Sequence, residues 1–271
     1  MRVLVRYVLP LFIAVPVAFA LLYPHLIRCV WIDRSTDFIR LPDSTELHVH
    51  TNATTRQLRQ LREHVATARQ RIRAFWGGRQ GKAILIYCPQ QEVYEQYCLG
   101  GEGAGCSLGT PWGTSYLVLG PDGNNPDVIA HELCHDELFA RLGWWRVKRQ
   151  IPQWFNEGLA LMVDYRFTDP AVWQTDSLSA EDVPPLRRRY FYRTPMLKLT
   201  ELETTKDFFG GNYRHVMLAY QTAAEEVARW LRLVGAPGVA RLSQAMIDGA
   251  DFAPAYQQLE REGRKKLNNQ P

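Results

Sequence analysis

The sequence predicts an α+β fold, with a mixed sheet in the N-terminal half and a helical C-terminal half, preceded by an N-terminal membrane segment. Three observations predict it. Short apolar runs of strand length lie between residues 46 and 119, around one long amphipathic helix. From residue 125 onward apolar positions recur at three- and four-residue steps, helix after helix. With 271 residues, 46% of them hydrophobic and 22% charged, the chain can bury a large core without disulfide staples. The organisation that follows is residues 1–30 as signal anchor or signal peptide, 31–45 as a tether and 46–271 as one folded domain.

Arg2 and Arg6 open a basic stretch, followed by an apolar run over residues 7–23 broken only by Pro10 and Pro16. Ala18-Phe19-Ala20 resembles a small-x-small cleavage site, but Leu21, Leu22, Leu26 and Ile27 carry the run past it. Counted to residue 27, it approaches the roughly 20 residues that span a bilayer, which favours an uncleaved single-pass anchor. The basic N-terminus places the domain on the extracytoplasmic side, periplasmic or extracellular, with Arg28, Arg34 and Arg40 pulling the other way.

Residues 31–43 are polar and mixed, as a tether would be. Residues 46–50 alternate with period two and read as a strand. Thr55 caps a helix whose apolar positions Leu58, Leu61, Val65, Ala68, Ile72 and Phe75 form one stripe, ended by Gly77. Residues 82–87 read as a strand, 91–97 as a short helix and 114–119 as another strand. The glycine-rich stretch between these last two follows a helix and precedes a strand. That is the reverse of the order that aims helix amides at a phosphate, so it reads as a loop. Helices are expected over residues 126–142, 152–165, 213–234, 238–247 and 252–261. Residues 168–195 lack periodicity and read as a surface excursion, with Arg187, Arg188 and Arg189 on a solvated face.

Lys and Arg number 32 against 28 Asp and Glu, a net charge of +4, and the arginines are dispersed, which sets nucleic acid aside as a partner. Five cysteines, Cys29, Cys88, Cys98, Cys106 and Cys134, form no zinc-ribbon spacing. Cys98 and Cys106 flank the flexible glycine loop, so they can pair in an oxidising exterior or stand as two free thiols.

The chemistry concentrates in His131-Glu132-Leu133-Cys134-His135, an HExxH string. Asn125 as N-cap, Pro126 at the first helical position, Asp127 and a terminating Gly143 put it inside a helix. His131 and His135 then project from one face, one turn apart, in line with Val128, Leu138 and Leu142. Two imidazoles on an apolar stripe need partners, and one divalent ion satisfies both. Glu132, about 100° round the helix, suits a general base rather than a ligand in the same row. A second, proline-initiated helix carries Glu157 in an otherwise apolar run, where a carboxylate is costly unless paired or bound to metal. Glu157 fits as the third ligand. Gly158 beside it costs about 1 kcal/mol in a helix and would let the two helices approach.

On VIAHELCH (residues 128–135) and IPQWFNEGLA (residues 151–160), the chain resembles the gluzincin metallopeptidases, especially small peptidase-MA-like proteins, in outline from about residue 48 to 256. The resemblance implies a zincin-like fold for the domain. It implies Zn2+ held by His131, His135 and Glu157, with Glu132 serving the bound water, and a peptide or protein substrate. It also implies a cleft-edge strand, here residues 114–119, that pairs with substrate backbone. The oxyanion donor of such enzymes is a downstream tyrosine or histidine: Tyr213, His215 or Tyr220, of which Tyr220 best fits the outline. No Gly-x-Met-Glu-Asn string precedes HExxH, which speaks for an endopeptidase. Leu161 stands where thermolysin-like enzymes keep an aspartate, leaving Asp136 and Asp164 as candidates to orient the histidines. His48, His50 and His64 read as surface residues. The alternative of another class is an inactive zinc- or peptide-binding surface module. A closed structural zinc site wants a fourth protein ligand, and Cys134 faces the wrong way to supply one.

Overall fold

The computed structural model describes residues 21–42, 46–98, 103–169, 171–174 and 195–268. The leader over residues 1–20 and the arginine triplet at 187–189 lie outside the described residues. Among the described residues no helix is long and apolar enough to cross a membrane.

Five strands form one mixed sheet: β1 (Phe38–Arg40), β2 (Leu47–His50), β3 (Ile84–Tyr87), β4 (Gly105–Gly109) and β5 (Ser115–Leu119), in the order β1-β2-β3-β5-β4. The three inner strands are parallel and both edges antiparallel. Successive side chains leave a strand on opposite faces, so β3 and β5 supply two cores. Leu85, Tyr87, Leu117 and Leu119 face the large core shared with the long helices. Ile86, Tyr116 and Val118 face a smaller one, closed by Cys29, Tyr94 and Tyr97.

Helix α1 (Pro24–Val30) covers the smaller core with α3 (Gln91–Tyr97). Cys29 is buried there and Leu26 packs against it, so part of the apolar run counted toward a bilayer span belongs to the folded domain. The stretch read as a tether likewise contains β1, whose Phe38 is buried against His50 and Tyr97. Three residues are too few to show strand alternation; pairing with β2 makes the strand.

On the other face, α2 (Thr55–Trp76) starts one residue earlier than its stripe suggests. Thr54 is the N-cap, in a reciprocal capping box with Gln57, and Gly77 ends the helix at φ 68°. Helix α4 (Pro126–Leu142) is capped by the Asn125 side chain, which accepts from the Asp127 amide. A helix absent from the sequence reading, α5 (Trp144–Gln150), turns the chain into α6 (Gln153–Val163). The Arg71 guanidinium of α2 ties α4 to α6, donating to Asp127 Oδ1 at 2.6 Å and to Val163 O at 2.7 Å.

After α7 (Ala171–Gln174) and the short α8 (Thr205–Phe209), α9 (Tyr213–Val234) packs along α6. A Cβ on Gly158 would lie 2.5 Å from Val227 Cγ2 and 2.8 Å from Ala223 O, so this glycine admits α9 and not α4. Helices α10 (Pro237–Ile247) and α11 (Phe252–Asn268) close the fold. Behind α6, Phe155 sits among Trp230, Phe252 and Tyr256 with ring centroids 4.9–5.8 Å apart. Burying one such ring contributes about 1.5–3 kcal/mol, enough for this cluster to hold α6 in place.

Candidate metal centre

Two residues four apart on α4 share one face of the helix, and this face meets α6. The His131 and His135 rings stand edge to face with centroids 5.0 Å apart. Both Nε2 atoms turn toward Glu157 Oε2, at 3.5 Å from His131 and 3.8 Å from His135. One ligand atom from each of the three residues falls within a 4.8 Å cluster, which can hold a metal ion.

The neighbours of these atoms fit that use. His135 Nδ1 is 3.0 Å from Asn156 Oδ1, so its proton resides on the side away from Glu157. His131 Nδ1 faces Asp164 Oδ2 at 3.8 Å and is buried without a hydrogen bond among the described residues. Gln153 Nε2 donates to Glu157 Oε1 at 2.7 Å, leaving Oε2 to the imidazoles. Burial alone would depress the His131 imidazolium, but Glu157, Glu132 and Asp164 outweigh it and hold the pKa above its ordinary value. Burial would raise the Glu157 carboxyl, yet the two histidines and Gln153 bring it below its ordinary value. The cluster therefore favours added positive charge.

Glu132 is 7% exposed; burial raises its carboxyl pKa against the pull of the two imidazoles. It meets β4: a Cβ on Gly105 would lie 3.2 Å from Glu132 Cγ, so only glycine lets the strand come this close without displacement. A cavity of about 380 Å³ runs between β4 and α4 past His131, Glu132 and His135 to Phe139 and Lys148. A second lobe of about 240 Å³ opens on the other side, past Asp164 and Arg166. Together they make a cleft with the cluster at its middle.

No family model matches the chain, and no curated protein matches it.

Of the three oxyanion candidates, only Tyr220 lines the cleft, where it borders both lobes. Burial and the carboxylates of Glu157, Glu132 and Asp164 raise its pKa well above 10, so the phenol keeps its proton. Tyr213 is 75% exposed. His215 Nε2 is occupied by Asp207 O at 2.8 Å. Asp164, seven residues after Glu157, returns to the same side of α6 and faces His131. Asp136 does not reach the histidines; its Oδ2 accepts from the Ala83 amide at 2.9 Å, at the start of β3, where burial pushes its carboxyl up to about 6.

Two readings change, and the open one at Cys98 and Cys106 is decided. The strand over residues 114–119 lies inside the sheet, between β3 and β4; the cleft-edge strand is β4, in the glycine-rich stretch read as a loop. His48 is 2% exposed because both faces of β2 are covered, and His64 is half-buried, 2.9 Å from Asn124 Oδ1. Cys98 and Cys106 form a disulfide, Cα atoms 6.2 Å apart, that fastens β4 to the end of α3. Cys134 is buried and free, on the Trp76 side of α4. Asn156, Gln153 and Lys148 escaped the sequence reading; the Asn-Glu pair before Gly158 was the available signal for the first.

Proposed function

We propose that this chain is a zinc-dependent metallopeptidase of zincin-like fold, acting as an endopeptidase from the extracytoplasmic side of a membrane. The observation that carries the reading is the convergence of His131, His135 and Glu157 from two helices, with Glu132 beside them, making no hydrogen bond among the described residues, where two adjoining cavities share His131, Glu132 and Tyr220. Two imidazoles and one carboxylate are a donor set of catalytic zinc sites, which keep a coordination position open. When bound, zinc supplies Lewis acidity, polarising a carbonyl and lowering the pKa of a water toward about 7.

The protein's own groups do the rest. Glu132 takes the proton from the attacking water and delivers it to the leaving amine. Tyr220 donates its retained proton as a hydrogen bond to the carbonyl oxygen as that atom gains charge. Strand β4 offers an outer edge for an extended chain to pair with. The Cys98–Cys106 disulfide supports an oxidising compartment.

The test uses the full-length protein and unfolded casein. Hydrolysis should stop on addition of a chelator and return with zinc, and Glu132→Gln should abolish it while about one zinc per chain is retained. Retained hydrolysis in Glu132→Gln rules the mechanism out, and the alternative of an inactive binding module stands if the zinc-loaded wild type never cleaves.

A further inference from the structure

The two lobes of the cleft each carry a cation, and the two are spent differently. In the smaller lobe the Arg166 guanidinium is committed to Asp164, with hydrogen bonds of 2.9 Å to Oδ1 and 2.6 Å to Oδ2. In the larger lobe Lys148 makes no ion pair among the described residues; its Nζ stands 5.9 Å from the Phe139 ring centroid. The nearby carboxylate, Glu157, is engaged by Gln153 on one oxygen and faces the imidazoles with the other. Once Glu157 serves a metal ion, its charge is no longer available to Lys148.

Lys148 also stands at a junction. It borders both the 380 Å³ lobe and a further groove of about 680 Å³, which has room for the chain beyond the cleavage point. That outer groove mixes Arg149 and Lys206 with Glu203 and Asp251, so it does not itself favour one sign of charge. Lys148 is an exposed residue at this junction, so its ammonium is open to an incoming chain. A cation with no ion pair among the described residues is free to meet a ligand that brings the counter-charge, through a charge-assisted hydrogen bond.

We propose that Lys148 makes the cleft selective for chains that present a carboxylate near the scissile bond, either an acidic side chain or a free C-terminus. This rests on the peptidase reading and names the substrate class of that site; the acidic side chain agrees with endopeptidase cleavage, whereas the terminus as source would make the cleavage that of a carboxypeptidase. A lysine, as a mobile point charge, accepts either source without demanding a bidentate geometry.

The test is a set of internally quenched peptides in which Glu, Gln or Lys is walked through the positions flanking the cleavage point. Each is made as free acid and as C-terminal amide, and read as kcat/KM with the zinc-loaded full-length protein. The expected result is about a two- to fivefold preference for Glu over Gln at one position, or for acid over amide, shrinking at high ionic strength. The ratio should fall to about one in Lys148→Ala, persist in Lys148→Arg and turn toward the Lys peptide in Lys148→Glu. A preference for Glu identifies the side chain as the source, and a preference for the free acid identifies the terminus. Cleavage without any preference for a carboxylate, or a preference that survives in Lys148→Ala, overturns this proposal alone. No cleavage of any peptide overturns it together with the peptidase reading.

Discussion

Asn156 Oδ1 lies 3.0 Å from His135 Nδ1, and by accepting a hydrogen bond from that ring it points the other nitrogen at Glu157, its own neighbour in sequence. One turn of α6 thus supplies both a candidate ligand and the group that orients a second one. Replacing Asn156 by Ala should weaken zinc binding about 10–100-fold, because the tautomer and ring orientation are no longer fixed. Competition against a zinc-chelating dye measures this, and Asn156→Asp, which keeps the acceptor, should recover most of the loss. Unchanged affinity in Asn156→Ala would remove the orienting role.

In the proposed mechanism Tyr220 serves the transition state and not substrate binding. Tyr220→Phe should lower kcat about 10²–10³-fold with little change in KM or zinc content, since only the developing charge on the carbonyl oxygen loses its donor. A variant that keeps wild-type kcat assigns the tyrosine to packing.

Gly158 marks the contact between α6 and α9. Gly158→Ala places a methyl 2.5 Å from Val227 Cγ2 and 2.8 Å from Ala223 O, so α9 must retreat, at an expected cost of about 1–3 kcal/mol. Thermal unfolding should show a lower Tm, and Gly158→Ala combined with Val227→Ala should recover part of it, although the Ala223 carbonyl still opposes the methyl.

Glu260 ties α11 to α9 through Arg229, 2.9 Å away, and to its own helix through Arg264 at 2.7 Å. The hydrogen bond from Arg229, then that from Arg264, overcome burial and hold its carboxyl below the ordinary glutamate value. A depressed folded-state pKa contributes stability that is complete above the unfolded value, near 4.5, and is lost as pH falls through the folded one. Glu260→Gln should therefore cost up to about 1 kcal/mol at pH 7, limited by solvent screening, with the difference from wild type vanishing in acid. Denaturant titrations at neutral and acidic pH check the sign.

What was legible in the chain was what neighbours in sequence decide. Asn125, Pro126 and Gly143 bound α4 through local capping chemistry, and the step of four between His131 and His135 puts both on one face whatever surrounds them. Glu157 stood out because a carboxylate in an apolar helix needs a partner. What depended on distant segments was not legible. Strand β4 carries glycine at both ends and becomes a strand only by pairing with β5. His48 is buried because β2 is covered on both faces, which no pattern within β2 announces. The partner of Gly158 proved to be α9, some 65 residues further on. Lys148 gained its position only because α5 carries it to the end of the cleft.

The central claim, that one divalent ion binds His131, His135 and Glu157, is tested most directly by metal content after exhaustive dialysis against trace zinc, comparing the wild type with Glu157→Ala. About one zinc per chain is expected in the wild type, and loss of stoichiometric zinc in the variant. A wild type that holds no zinc, or a variant that holds it as firmly, would contradict it.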